Sequence, residues 1–228
     1  MRHLFNDIPF TGFSPQSLEF FRRLEQNNDR EWFARHREEY VSLVADPMHR
    51  LVAELTPAMR QMDPGIVTDP RRAVSRIYRD TRFSHDKTPY WPYLWFAFRH
   101  DSKTWFHAPT YFFELDGSRY SFGLNIYTPS AVTMRRFRGK IDADPKAFLD
   151  VIQPILRSRT LRLRDDRYKR RLPSPHPPVI DAWYQCRAIT VMTYREPDKT
   201  LFSKKLVDLL IDRYLLMKPL YDFLWSVT

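Results

Sequence analysis

Apolar side chains recur at a helical period in the first part of the chain. The apolar positions between Leu18 and Leu24 follow directly after Ser14-Pro15, a pair that is typical of a capped helix start. Asp46-Pro47 repeats this signal, and Asn28 stands where it would cap another helix. Helical patterns return after Pro129. The pattern therefore predicts helices at both ends of the chain.

Between Ala73 and Thr128 the apolar period changes to two, which is typical of strands. Asp116-Gly117 lies between two of the alternating runs and favours a tight hairpin. The predicted strands are 74–80, 93–99, 110–116 and 119–127, and 188–193 is expected to extend the sheet. The chain is thus predicted to be α+β, with an antiparallel sheet over about 74–127 covered by N-terminal and C-terminal helices.

The predicted strands have two unlike faces. One mixes rings and polar groups and includes Trp95, Glu114 and Asn125. A solvated sheet face would carry more Lys, Glu and Thr and fewer rings, so this mixed face is interpreted as a ligand-facing surface. The other is apolar and comprises Leu94, Phe96, Phe98, Tyr111, Phe113, Leu115, Tyr120, Phe122, Leu124 and Ile126.

Length and composition favour one folded domain over residues 1–228. Of the residues, 43% are hydrophobic and 15% aromatic, which suffices for a core and excludes a disordered chain. No apolar run reaches the length of a membrane span, and Met1 to Phe10 lacks a signal-peptide pattern. Cys186 is the single cysteine, so no internal disulfide can form. We expect a soluble cytoplasmic protein without a membrane partner.

Several common catalytic and cofactor motifs are missing from the sequence. Its five glycines have neither the dinucleotide-binding nor the P-loop spacing. No nucleophile-elbow pattern occurs, and no His or Cys pair has the spacing of a zinc site. We therefore expect no cofactor and no resident metal.

Residues 76–90 concentrate the charged and aromatic chemistry of the chain. Four cations and two carboxylates fall within twelve positions, and charges buried alone would cost many kcal/mol. One interpretation is a salt-bridge network that pins a loop. The other is an anion-binding pocket, in which an aspartate orients an arginine or binds a metal. The charged residues are Arg76, Arg79, Asp80, Arg82, Asp86 and Lys87.

We expect a site where residues 76–90 meet the mixed face of the sheet. Asp86 and Glu114 are the candidate catalytic residues, and desolvation among rings would raise the pKa of Glu114 and suit it to act as a general base. The alternative for Glu114 is a cross-strand ion pair with Arg99 or Arg119. The other walls of the expected site are Tyr78, Tyr90, Trp95 and Asn125.

The chain has a net charge of +10, with 37 basic and 27 acidic residues. This indicates either an anionic partner or simply a basic surface in an arginine-rich protein. Residues 157–171 hold eight basic and two acidic side chains, which could lie along a phosphate backbone. Tyr168 is the single ring there, so stacking of bases is poorly supported. An anionic small molecule or phosphate-bearing ligand is therefore favoured over nucleic acid.

Several stretches together resemble a known family. The resemblance is to the uncharacterised microbial family catalogued as domain of unknown function number 2461, and it spans nearly the whole chain. It implies a single α+β domain in a cytoplasmic protein, and it implies no activity. The stretches are Phe10-Thr-Gly-Phe-Ser-Pro15, Asn27-Asn-Asp-Arg-Glu-Trp-Phe33, Ser75 through Tyr90, Tyr111-Phe-Phe-Glu114, Tyr168-Lys-Arg-Arg-Leu-Pro173 and Lys218-Pro-Leu-Tyr-Asp-Phe-Leu224.

Three functions are compatible with these patterns. The first is a binding protein that recognises a phosphate, a carboxylate or nucleic acid. The second is a hydrolase of a phosphorylated or acidic substrate, with Asp86 or Glu114 as the base. The third is a structural or interaction protein, in which residues 76–90 act only as a salt-bridge lock. The sequence makes no prediction of the oligomeric state.

Overall fold

A computed structural model describes residues 8–228, and its N-terminal part is helical. Ser14 begins the first helix as predicted: its hydroxyl accepts from the Ser17 N–H at 3.3 Å, and the Ser17 hydroxyl accepts from the Ser14 N–H at 3.0 Å. The helices are α1 Pro15–Gln26, α2 Arg30–Arg35, α3 Arg37–Tyr40, α4 Asp46–Met62 and α5 Pro70–Ala73, with a π-helical turn at Val41–Ala45.

The five strands form one antiparallel sheet, so the predicted α+β class is confirmed. Their order across the sheet is β1-β2-β3-β5-β4. The predicted strand at 188–193 exists and lies next to the hairpin strands, whereas β4 was not predicted. The strands are β1 Tyr93–Phe98, β2 Thr110–Asp116, β3 Tyr120–Asn125, β4 Arg162–Leu163 and β5 Thr190–Arg195.

The predicted strand 74–80 is wrong. This segment makes only two isolated bridges, Val74 with Phe96 and Tyr78 with Tyr90. Of its residues only Ile77 is buried, so the segment has no apolar face that could hold it in the sheet. It continues instead into a loop.

The predicted hairpin at Asp116-Gly117 is confirmed. The Asp116 N–H donates to the Arg119 carbonyl at 3.1 Å, and the Asp116 carboxylate accepts from the Ser118 and Arg119 N–H groups at 2.6 and 2.9 Å. The side chain of Asp116 therefore stabilises the turn as an Asx-turn.

Helices return after the hairpin. Ser130 and Asp144 cap two of them, as their side chains accept from the N–H groups of Thr133 and Ala147 at 3.0 and 2.8 Å. The helices are α6 Ala131–Ala143, α7 Pro145–Arg157, α8 Pro178–Tyr184 and α9 Lys205–Trp225, and a short 3-10 helix covers Trp105–His107. No helix within residues 8–228 combines the length and apolar character that a membrane span needs.

The apolar face of the sheet is the core, as predicted. All ten of its predicted residues are buried. Phe113 stacks between Phe13 at 6.0 Å and Phe96 at 5.5 Å, measured between ring centroids. Tyr111 packs in the same way against Tyr214 and Tyr221 of α9, at 5.0 and 4.8 Å. Each ring contributes about 1.5–3 kcal/mol by leaving water.

The chain divides into two compact units. Of the described residues, unit 1 holds 8–98, 113–121 and 194–211, and unit 2 holds 99–112, 122–193 and 212–228. The single domain expected over 1–228 stays a prediction. The stretch without a signal-peptide pattern overlaps residues 1–7, which lie outside the described residues.

We predict that Gly12→Ala destabilises the protein by about 2 kcal/mol or more. Gly12 has a φ of +122°, and a Cβ there would overlap the backbone of Phe202 and Ser203. Urea unfolding measures the effect.

The matched control is Gly139→Ala, where a Cβ on α6 would meet nothing within 4 Å. That change should raise the free energy of unfolding by about 0.5–1 kcal/mol through helix propensity. Equal stabilities for the two variants would contradict the packing described at Gly12.

Candidate functional site

Backbone hydrogen bonds close the base of a loop that spans residues 77–91. The Arg79 N–H donates to the Pro89 carbonyl at 2.9 Å, and the Trp91 N–H donates to the Ile77 carbonyl at 2.9 Å. The loop lies wholly in unit 1. Residues 77–80 of the predicted strand therefore belong to a closed loop. We call residues 77–91, together with the adjoining Arg76, the charged loop.

Asn28 fastens one end of the charged loop. Its side-chain amide donates to the Tyr90 carbonyl at 2.9 Å and accepts from the Tyr90 N–H at 3.1 Å. The expectation that Asn28 caps a helix is wrong, because Asp29 caps α2 by accepting from the Trp32 N–H at 2.8 Å. The amide of Asn28 is thus available to hold the loop.

The two tyrosines of the charged loop have different roles. Tyr90 is buried and stacks on Phe33 at 4.1 Å. Burial raises the pKa of Tyr90, with a smaller contribution from Tyr78. The ring of Tyr78 is 57% exposed and lies 5.4 Å from that of Tyr90. Tyr90 therefore supports the loop, and Tyr78 presents a ring to solvent.

Arg79 holds the interior of the charged loop. Its guanidinium donates to the Asp86 carboxylate, to the Thr88 hydroxyl at 2.9 Å and to the Ser84 hydroxyl at 3.2 Å. The same group lies 4.6 Å from the centre of the Trp91 ring. The side chain of Arg79 is only 15% exposed. Such a withdrawn cation needs this full set of partners.

Asp86 is engaged from two sides. Hydrogen bonds from the Thr88 backbone, from Arg79 and from the Thr88 hydroxyl, in falling order, lower the pKa of Asp86 to about 2. A carboxylate with so low a pKa has little tendency to take a proton near neutral pH. The geometry therefore gives no support to Asp86 as a general base.

Asp80 and Arg82 satisfy each other at the surface. The Asp80 carboxylate accepts from the Arg82 Nε at 3.0 and 3.3 Å, from its Nη2 at 2.7 Å and from its backbone N–H at 3.2 Å. The side-chain bond from Arg82 is the largest cause of a fall in the pKa of Asp80 to about 2. Because both side chains are exposed, the pair is screened by water and is not a buried lock.

Arg76 and Lys87 are the cations of the charged loop that no carboxylate neutralises. Both are exposed, and neither forms an ion pair within residues 8–228. Lys87 donates to the Thr81 carbonyl at 2.9 Å. Phe83 is 94% exposed, and the Arg82 guanidinium lies 5.8 Å from its ring centre. The charged loop therefore presents two unneutralised cations and two exposed rings.

Glu114 is half-buried on β2 and, among residues 8–228, forms no hydrogen bond or ion pair with the charged loop. Burial is the largest cause of its raised pKa, Asp116 adds to the rise and Arg119 opposes it. In the described part of the chain its carboxylate forms no hydrogen bond or ion pair. Arg119 instead bonds Asp116 at 3.4 Å and covers the Tyr194 ring at 4.5 Å. The alternative pair with Arg119 is thus wrong.

The remaining expected walls are divided between the units. Trp95 belongs to β1 in unit 1, and its N–H donates to the Ser75 hydroxyl at 3.2 Å. Asn125 belongs to unit 2. The structure thus brings together the residues of the charged loop, whereas their grouping with Trp95, Glu114 and Asn125 stays a prediction.

Two groups that catalysis could use are not arranged for it. Burial is the largest cause of a rise in the pKa of Cys186 to about 12, which keeps its thiol protonated. Among the residues that the structure describes, no three His, Cys, Asp or Glu side chains gather as metal ligands.

Sequence reasoning missed a cleft of about 530 Å³ in unit 1. Arg50, Glu54 and Arg60 of α4 line it together with Asp69. The Arg60 Nε donates to the Thr68 hydroxyl at 3.0 Å. In the sequence these charges look like the ordinary polar face of an amphipathic helix, and only the fold of residues 66–70 against α4 makes the cleft. It could hold a small polar ligand.

Comparison with known proteins identifies one match. The family model of a conserved hypothetical protein, DUF2461, matches residues 16–223. No curated protein and no solved structure matches the chain. The match covers the charged loop and every candidate site residue.

We predict that Arg79→Ala lowers the free energy of unfolding by about 1–3 kcal/mol, because it removes the three hydrogen bonds of a largely buried guanidinium, two of them to partly buried hydroxyl groups. Arg82→Ala, the matched control three positions on, should leave unfolding close to that of the parent because its ion pair is exposed. Urea unfolding measures both. The reverse order of effects would show that Arg79 does not hold the loop.

We predict that Glu114→Gln stabilises the protein more at pH 7 than at pH 4. A raised carboxyl pKa means that the folded state disfavours the ionised form, a penalty that sets in as the pH rises above the ordinary value of 4.5. Glu25→Gln, at an exposed position on α1, is the control and should show no such difference. If the change in stability depended on pH in the same way in both variants, Glu114 would not be the source of that dependence.

Proposed function

We propose that this chain, which belongs to the DUF2461 family of conserved hypothetical proteins, is a binding protein that recognises an anionic ligand at the charged loop. The observation that carries the proposal is the exposed pair of cations, Arg76 and Lys87, which no carboxylate among residues 8–228 neutralises. Charged donors of this kind bind phosphate and carboxylate strongly. A ligand that bears phosphate suits them best.

The internal bonds of the charged loop support this proposal because they prepare it for binding. Arg79 and Asn28 fix the loop backbone, so little conformational entropy remains to be lost when a ligand arrives. The pair of Asp80 with Arg82 is neutral as a whole. The surplus charge of the loop therefore sits on Arg76 and Lys87.

The exposed rings extend the proposed chemistry. Phe83 and Tyr78 are exposed on the same loop as the two cations. An almost fully exposed phenylalanine buries little apolar surface on folding, which leaves its ring free to stack on a planar group of a ligand. The proposed ligand thus carries a planar group beside its phosphate.

The hydrolase alternative has less support, because Arg79 and Thr88 occupy both carboxylate oxygens of Asp86. Among residues 8–228, Glu114 forms no hydrogen bond or ion pair with the charged loop. The alternative of a structural or interaction protein explains the bonds of Arg79 but gives no role to the exposed ring of Phe83. A cytoplasmic location forms part of the proposal, and the single, buried and free thiol of Cys186 supports it.

Calorimetric titration with adenosine monophosphate, inorganic phosphate and adenosine tests the proposal. The monophosphate should bind more tightly than either part alone. Arg76→Gln and Lys87→Gln should each weaken it about tenfold, the equivalent of one charged hydrogen bond. Phe83→Ala should weaken the binding of adenosine monophosphate and leave the binding of inorganic phosphate unchanged.

Arg37→Gln is the control, since it removes an exposed cation of α3 in the same unit and should leave binding unaltered. The proposal fails if none of the probes binds, or if Arg37→Gln weakens binding as much as the changes in the loop.

A further inference from the structure

The basic segment 157–171 of unit 2 begins at the end of α7 and contains the two-residue strand β4, the outermost strand of the sheet. Arg162 pairs with Met192 and Leu163 with Val191, both antiparallel. The Arg164 N–H donates to the Thr190 carbonyl at 2.8 Å. The extended backbone covers only the two residues of β4, since the Asp166 N–H donates to the Arg164 carbonyl at 3.0 Å and the chain turns directly after the strand.

The acidic groups near this strand are already in use. Asp165 pairs with Arg167 at 2.6 Å, and Asp166 pairs with Arg187 at 3.1 Å. Asp181 of α8 pairs with Arg171 at 2.7 Å. No carboxylate of this group is left to neutralise the other cations of the segment.

Six cations of the segment remain after this pairing. One of them, Arg162, donates to the backbone carbonyls of Ser158, Leu161 and Arg159, and five are left. All are exposed, and their side chains form no hydrogen bond or ion pair in the portion of the chain that the structure covers. We call this set the basic edge. It comprises Arg157, Arg159, Arg164, Lys169 and Arg170.

The basic edge suits a linear polyanion. Five like charges in one segment attract a polyanion, which would release its own condensed cations with a gain in entropy as its phosphates are neutralised. Arginine forks, which make up four of the five, match phosphate oxygens. Backbone binding of this kind needs no ring platform, so the scarcity of rings in the segment does not argue against it.

A membrane surface fits the basic edge less well than nucleic acid does. Surface-bound segments insert apolar side chains beside their cations. Between residues 157 and 171, Tyr168 is the exposed large hydrophobic side chain. Its ring lies 5.4 Å from the Arg138 guanidinium, so it is itself part of a polar contact.

We infer that the basic edge binds the phosphate backbone of nucleic acid without reading its sequence. The inference stands apart from the function proposed for the charged loop, because it uses other residues in the other unit.

Fluorescence anisotropy with a labelled duplex of random sequence, at salt from 50 to 200 mM, tests the inference. Five phosphate contacts predict a slope of log K against log salt of about −4.5, or about a 500-fold loss over this range. The triple variant Arg159→Gln, Arg164→Gln and Arg170→Gln should have a slope of about −1.8, or about a 12-fold loss.

Two control triples keep the result interpretable. Lysine at the same three positions keeps the charge and should keep the slope, which also shows that these changes are compatible with folding. The second is Arg30→Gln, Arg35→Gln and Arg37→Gln, which removes the same charge from exposed positions in α2 and α3 and should leave the slope as in the parent.

Three outcomes would overturn the inference. One is a lack of duplex binding at 50 mM salt. Another is an equal fall in slope for the triple in α2 and α3, which would assign binding to net charge alone. The third is binding to vesicles containing phosphatidylserine without binding to the duplex. The double variant Arg76→Gln and Lys87→Gln should keep the slope of the parent. A failure of the function proposed for the charged loop is thereby distinguished from a failure of the inference for the basic edge.

Discussion

A guanidinium that is largely withdrawn from water needs hydrogen-bond partners, and Arg79 imposes this requirement on the charged loop. Its partners Ser84, Asp86 and Thr88 come from three points of the loop, and Trp91 covers its face. Arg79 orders the interior of the loop, and the backbone bonds at its base and Asn28 hold its ends. Ile77 and Tyr90 are the buried residues of the loop among the described residues, and Phe83 lies outside these anchors and stays exposed.

The elements that could be predicted are those whose signals are local. The cap at Ser14, the turn at Asp116 and the alternation around Phe113 each depend on neighbours within a few positions. The segment 74–80 shows the limit of this reasoning, because its β-branched and aromatic residues suit a strand while its arginines and aspartate leave it without an apolar face. β4 shows the converse, since its partner β5 lies some thirty positions away.

The candidate site was predictable in its composition but not in its pairing. The density of charge at 76–90 identified the loop, yet the sequence could not say that Arg79 would take Asp86 and that Arg82 would take Asp80. Choice of partner depends on burial, which is a property of the folded chain. For the same reason the sequence does not predict the cleft at α4. It does predict the positive charge of the basic edge, but not which arginines pair with the acidic residues beside it.

The position of β4 at the border of the sheet has a consequence for self-association. An outermost strand offers unpaired backbone groups on which a second copy could continue the sheet. Here that strand is two residues long and arginines surround it. The edge strands of two copies would therefore repel each other on approach. The same cations therefore oppose aggregation through the exposed edge strand. Any partner that neutralised them would also have to cover this edge strand.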